Sequence, residues 1–335
     1  MKRENSPARP PAPDGLTRRD FLLVAGTSVL TASPETVATA LSEAPGVALP
    51  PRVLQPLDAN AGQFLPLTGK ASLETDAAAL LTRLASSEAY VLVSLPRVFP
   101  GEPGETAREV ERAGRASLAV NALHGVRRAA VVGWAPVEQG FQGLEFIYRQ
   151  AERLGPDAWL CQVPPDSMDS VAGILDVLAR IGPRLVYVRC SGREEALVDL
   201  ARSFRDLFLV CTWPTGAAQG GVLRLRNALR SQGGPSNLFI ELSGVPLPLL
   251  RRLADELGEE HLLWASGGTL RPARDRLEEA GLAPAVWDRL LVDNLAQLLG
   301  VSMPPAVVPV LPIHLTRLKE VRLMLPAPGV LFDPA

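Results

Sequence analysis

Between residues 53 and 300 the chain alternates short apolar runs with longer stretches that are apolar on one side only. The runs lie at 53–58, 89–95, 129–134, 158–163, 185–190, 207–211, 238–242 and 262–265, and nearly every position in them is apolar. A strand in a half-wet sheet alternates polar with apolar, whereas an unbroken apolar strand is covered on both faces, as parallel strands are. The stretches at 74–87, 106–124, 143–154, 168–181, 194–204, 222–231, 248–257 and 271–279 repeat their apolar residues at the helical period. Eight strand and helix units in about 250 residues predict an α/β protein, a (β/α)8 TIM barrel. A doubly wound sheet is the competing arrangement, and it lacks the glycine-rich first turn such sheets use for dinucleotides.

The pattern breaks at both ends. After Gly300 come Pro304, Pro305, Pro309, Pro312, Pro326, Pro328 and Pro334. Proline removes a donor and fixes φ, so 301–335 reads as a proline-rich extended tail with a short helix around 315–322. Near the start, Thr17-Arg18-Arg19-Asp20-Phe21-Leu22-Leu23 sets paired arginines before a short apolar segment, with Ala38-Thr39-Ala40 as a small-residue cleavage site. Residues 1–40 therefore resemble a twin-arginine export signal, and 41–52 a linker. The competing reading is a short amphipathic helix that happens to carry Arg-Arg. The expectation is a mature protein that is periplasmic or extracellular, with no membrane span.

An apolar share of 47% supplies a large core, and a net charge of -2 offers no basic face for nucleic acid. Cys161, Cys190 and Cys211 sit in or beside apolar runs without metal-ligand spacing, which predicts buried thiols. A Cys190–Cys211 bridge is open if neighbouring strands carry them.

The C-terminal third carries a family resemblance. Asn237-Leu238-Phe239-Ile240-Glu241-Leu242-Ser243-Gly244, then Trp264-Ala265-Ser266-Gly267, then Asp293-Asn294-Leu295-Ala296-Gln297-Leu298-Leu299-Gly300 is similar to the closing section of amidohydrolase-related proteins. The resemblance spans about residues 53–300. It implies a metal-dependent TIM-barrel hydrolase or decarboxylase, with zinc or another divalent cation lowering the pKa of a bound water. It also implies ligands at the strand ends. The His-x-His after the first strand falls on Asn60 and Gly62, and a histidine near 185–190 meets Arg189, Cys190 or Ser191. Another meets Thr212 or Trp213, and the aspartate of the last turn meets Gly267. The three histidines, His124, His261 and His314, fall away from strand C-terminal ends. The resemblance thus implies a fold whose metal site is lost, and no cofactor is expected.

The polar residues left at strand ends nominate a ligand site: Asn60, Arg189, Thr212, Trp213, Glu241 and Ser266. A carboxylate inside an apolar strand must find a partner or change its protonation. Arg189 is the expected ion-pair partner of Glu241, either as a structural pair or as a clamp for a small anion. Ser266-Gly267-Gly268 before Arg271 and Arg274 reads as a turn or a phosphate cradle. Two functions compete: a non-catalytic binding or accessory protein, paired with a small anionic ligand or an active relative, and a hydrolase or decarboxylase with unusual or no metal ligands. A structural role with no small molecule is a third reading, and a homo-oligomer stays open.

Overall fold

The computed structural model describes residues 57–59, 72–87, 89–99, 101–124, 129–162, 168–189, 192–213, 218–267 and 273–301. By internal contacts the chain divides into residues 1–50 and 51–335, and every described residue belongs to the second unit. The expected export signal, the linker and His314 lie outside the described residues, as do Asn60, Cys190 and the proline-rich tail beyond Val301.

Strands and helices alternate along the described chain. They run β1 Leu57–Asp58, α1 Leu73–Ser87, β2 Val91–Val93, α2 Pro103–His124, β3 Ala129–Ala130, β4 Val132–Ala135, α3 Gly140–Leu154, β5 Ala158–Gln162 and α4 Met168–Ile181. There follow β6 Leu185–Arg189, α5 Glu194–Ser203, β7 Phe208–Thr212, α6 Ala218–Gln232, β8 Leu238–Glu241, α7 Leu247–Leu257, β9 Leu262–Leu263 and α8 Ala273–Glu279. α9 Pro284–Asp288, a π-helical turn Arg289–Asp293 and α10 Asn294–Leu299 complete the series. Each predicted apolar run holds a strand, because both of its faces are covered.

The strands form two parallel sheets, ordered β1-β2-β3 and β4-β5-β6-β7-β8-β9. The run predicted as one strand at 129–134 serves both. It is interrupted at Val131, whose N–H donates to Asp157 Oδ2 (3.0 Å) and whose carbonyl accepts the N–H of Asp157 (2.7 Å). Asp157 has taken the backbone groups that a ladder would use. At the other edges, Ala59 N donates to the carbonyl of Trp264 (2.9 Å), linking the residue after β1 to the residue after β9.

Local chemistry explains the element ends. Ser72 caps α1, its hydroxyl accepting the N–H of Thr75 (3.2 Å). Arg112 on α2 grips both carboxylate oxygens of Asp76 on α1 through Nη2 and Nε (2.8 and 3.2 Å), fixing the two helices against each other. A cluster of small residues and leucines, Ala77, Leu80, Leu84, Leu92, Ala116 and Ala119 among them, lies beneath that pair. Trp134 and Phe146 meet edge to face at 5.6 Å, where α3 covers β4. Cys161 and Cys211 are buried in β5 and β7, and Cys190, the other half of the bridge left open by the sequence, lies outside the described residues. Among the described residues no helix is long and apolar enough to cross a membrane.

Candidate functional site

Strand register decides which side chains can meet. Tyr187 pairs with Val210 and Arg189 with Thr212 between β6 and β7. Val210 pairs with Phe239, and Glu241 with Leu263, across β7-β8-β9. Side chains alternate along a strand and align across it, so Tyr187, Arg189, Val210, Thr212, Phe239 and Glu241 share one face. Arg189, Thr212 and Glu241 cluster at the C-terminal ends of β6, β7 and β8, with Tyr187 one layer below, in register with Val210 and Phe239. The apolar members, with Phe208 and His261, lie toward the N-terminal ends: Phe208 and Phe239 stack edge to face at 6.1 Å, and His261 lies 6.0 Å from Phe239.

Glu241 is fully buried, and hydrogen-bond donors reach both of its oxygens. Thr212 Oγ1 donates to Oε2 and the backbone N–H of Ser243 to Oε1, each at 2.6 Å. Arg189 is half-buried, and burial lowers the affinity of its guanidinium for a proton, which the charge of Glu241 partly restores. The direct ion pair expected between these two is not made, because Glu241 turns its oxygens to Thr212 and the chain at Ser243 and acts on Arg189 only through its field. Arg189 Nε is left buried without a hydrogen-bond partner among the described residues. Tyr187 is fully buried and its hydroxyl likewise has none; burial, then the charges of Glu241 and Asp58, push the phenol well above its ordinary pKa.

Two further clusters flank this face. Ser266, almost wholly buried, donates its N–H to Asp58 Oδ1 (2.9 Å) while its hydroxyl faces Arg83 of α1 (3.3 Å). Trp213, also buried, donates its indole N–H to Glu194 (3.2 Å), the first residue of α5. Glu194 additionally takes Arg224 of α6 through both oxygens (2.7 and 2.9 Å) and the N–H of Gly192 (3.3 Å). Burial pushes the Glu194 carboxyl up, but the bonds from Arg224, its own backbone, Trp213 and Gly192 outweigh it and hold the pKa below the ordinary 4.5.

The sign of that shift fixes a pH dependence. A carboxyl depressed in the folded state stabilises fully above the unfolded value and loses its contribution as pH falls through the folded one. Melting temperature should therefore fall below about pH 4.5, and Glu194→Gln should flatten that part of the curve while lowering stability at pH 7 by about 2 kcal/mol. Thermal melts of both proteins between pH 3 and 7 check it.

The sequence nominations thus divide. Arg189, Thr212 and Glu241 come together on one sheet face, whereas Trp213 is held by Glu194 and Ser266 by Asp58 and Arg83. Tyr187 was hidden in an apolar run, and only its spacing two residues before Arg189 could have exposed it. Glu194 read as an ordinary helix start. Gly267, in the place of the expected aspartate, has φ of +60°, and a Cβ there would stand 3.0 Å from the Cβ of Ser243. The turn favours glycine, and a side chain there would be strained by φ and would press on Ser243.

A divalent cation needs several anionic or imidazole donors at one point. Among the described residues no three His, Cys, Asp or Glu side chains converge in that way. The ends of β6, β7 and β8 offer instead Glu241, with a donor on each oxygen, and a guanidinium whose charge would repel a cation, while Asp58 at the end of β1 already accepts the N–H of Ser266. This donor set does not fit the metal that the resemblance implies.

No protein-family model matches the chain, and no curated sequence matches it. Solved structures do. The 2,6-dihydroxybenzoate decarboxylase complexed with 2,6-dihydroxybenzoate aligns with a TM-score of 0.54 at 12% identity, over 74% of this chain and 99% of that one. The 5-carboxyvanillate decarboxylase of Sphingomonas paucimobilis gives 0.52 at 16%, over 74% and 100%, and the 2,6-dihydroxybenzoate decarboxylase of Rhizobium 0.51 at 12%, over 74% and 99%. The likeness is one of fold. The chain shares the fold of these decarboxylases at an identity that carries no residue roles.

The residues that bear the sequence resemblance fit that conclusion. Asn237 turns its amide to the carbonyls of Ala201, Phe204 and Leu207 (2.8–3.0 Å), and Asn294 to those of Glu259 and Leu262 (2.7 and 2.8 Å). Both tie the N-terminal ends of strands to neighbouring helices and turns, away from the polar strand ends. The motif records architecture.

Proposed function

We propose that this chain is a metal-independent enzyme of the amidohydrolase-related type, a decarboxylase of a small carboxylic acid, and that its two sheets close into one eight-stranded barrel around the site. Closure is supported by the bond from Ala59 to Trp264 and by the unbroken chain from Ala129 to Ala135 that serves both sheets. The observation that carries the functional reading is the meeting of Arg189, Thr212 and Glu241 at the ends of β6, β7 and β8, with Tyr187 one layer below them on the same face. Placing a cation, a carboxylate and a phenol in an otherwise apolar sheet costs several kcal/mol, and such an arrangement is characteristic of functional sites.

Chemistry without a metal favours decarboxylation over hydrolysis. Water has a pKa near 15.7, and without a cation it is a poor nucleophile. Loss of CO2 needs no nucleophile: R–CO2⁻ and one proton give R–H and CO2, the C–C bonding pair taking up the proton. Glu241, protonated for that step, hands its proton to carbon and regains one from solvent. The low-dielectric strand ends assist, since they strip water from the departing carboxylate. The decarboxylases that share the fold support the class.

A second reading, a binding or accessory protein without catalysis, is favoured by Gly267 at the place of the expected aspartate and by the engagement of both Glu241 oxygens. Export by the twin-arginine route remains part of the proposal, resting on residues 18–23. Incubating the purified full chain with a panel of ring carboxylates, lactones and amides, with and without a chelator, tests the assignment. CO2 release that survives the chelator supports it. No turnover of any carboxylate favours the binding protein, and hydrolysis that requires a divalent ion contradicts the proposal.

A further inference from the structure

We infer that Arg189 takes over the electrostatic part of the missing metal, and that its guanidinium and the Tyr187 hydroxyl together receive an anionic oxygen of the ligand. The inference rests on the small-acid reading above and names how the acid is held. Resemblance sets a metal-binding histidine at or beside position 189, and an arginine there supplies a fixed charge where a ligand would have delivered a bound one. Arg189 and Tyr187 leave β6 two residues apart on the same face, so both donors point to one side of the sheet.

Neither donor is satisfied within the protein: Arg189 Nε and Tyr187 Oη are buried without hydrogen-bond partners among the described residues, and the phenol is completely enclosed. A buried donor left empty costs about 1–3 kcal/mol, more for a charged one, so two on one face point to a group that arrives from outside. Glu241, the nearest candidate counter-charge, is held away by Thr212 and Ser243. An incoming oxyanion meets an N–H and an O–H that were waiting for it. The preferred ligand is therefore a small acid, and its neutral amide is disfavoured.

Calorimetric titration of the full chain with benzoate, 2-hydroxybenzoate and neutral benzamide, in chelator throughout, tests this without requiring turnover. Benzoate or 2-hydroxybenzoate should bind at least about tenfold tighter than benzamide. Arg189→Met should weaken the acid by about 100-fold, Arg189→Lys by less, and Tyr187→Phe by about 5- to 10-fold. Arg189→Met should also melt about 2–4 °C higher than the parent, since it removes a buried, unpaired cation; a residue whose role is only to pair with Glu241 would melt lower when lost. Equal affinity for acid and amide, undiminished binding in Arg189→Met, or a lower melting temperature in that variant overturns the inference. If those results come with chelator-resistant CO2 release from ring carboxylates, the decarboxylase reading survives them. If no acid binds and no carboxylate is turned over, both fall.

Discussion

Gly221→Ala should destabilise the protein by about 2–4 kcal/mol and lower its melting temperature by about 5–10 °C. Helix propensity alone predicts the opposite, because alanine inside a helix is better than glycine by about 1 kcal/mol. Packing decides the sign. A Cβ at Gly221 would lie 1.8 Å from Trp213 Nε1 and 2.3 Å from its Cδ1, and no small shift relieves both. The indole must leave its place against α6, and in leaving it gives up the bond to Glu194 (3.2 Å). Overpacking of this kind costs about 1–3 kcal/mol, and the lost hydrogen bond about another 1. Thermal unfolding followed by tryptophan fluorescence reads both parts. A variant that melts at or above the parent temperature would show that Trp213 is not held where the structure places it.

The second large effect concerns the proton. Glu241→Gln should lower kcat for CO2 release by about 10²–10⁴-fold, with KM little changed, because a positioned acid or base contributes that range and the amide cannot give up a proton usefully. Gln retains one acceptor oxygen for Thr212 or the N–H of Ser243 but turns a donor toward the other. A stability loss of about 1–3 kcal/mol therefore accompanies it, too small to unfold a domain of this size. The pattern separates chemistry from architecture: a merely structural Glu241 would lose activity only in proportion to the unfolded fraction. Measuring kcat and KM beside the melting curve on the same sample makes that distinction.

Much of the architecture was written in the period of the apolar residues. The segments at 158–163 and 185–190 became Ala158–Gln162 and Leu185–Arg189, and the helix at 168–181 matches Met168–Ile181. Continuous apolar strands and amphipathic helices are local signals, and they survive folding unchanged. The split at Val131 was not legible, because it is made by Asp157, which lies 26 residues further on. Nor was the fate of Glu241: its nearest suitable charge along the neighbouring strands is Arg189, yet Thr212 on the adjacent strand and the turn at Ser243 reach it first. Tyr187 was concealed by its neighbours, since a phenol amid valines reads as core until its hydroxyl is found without a partner.

The last turn has a geometry of its own. Gly267 is a position where a side chain would be strained by φ and crowded by Ser243. An aspartate at this position would therefore press on Ser243 and strain the turn that Asp58 holds through Ser266 N. The ends of β6, β7 and β8 present a fixed organic cation and an engaged carboxylate, the arrangement on which the proposed binding of acids rests.

The most direct trial of that account is the rate of CO2 release from ring carboxylates by the full chain after exhaustive chelation, with its metal content measured on the same sample. The account predicts an unchanged rate at far less than one metal ion per chain. A rate that collapses on chelation and returns with one equivalent of a divalent cation would contradict it.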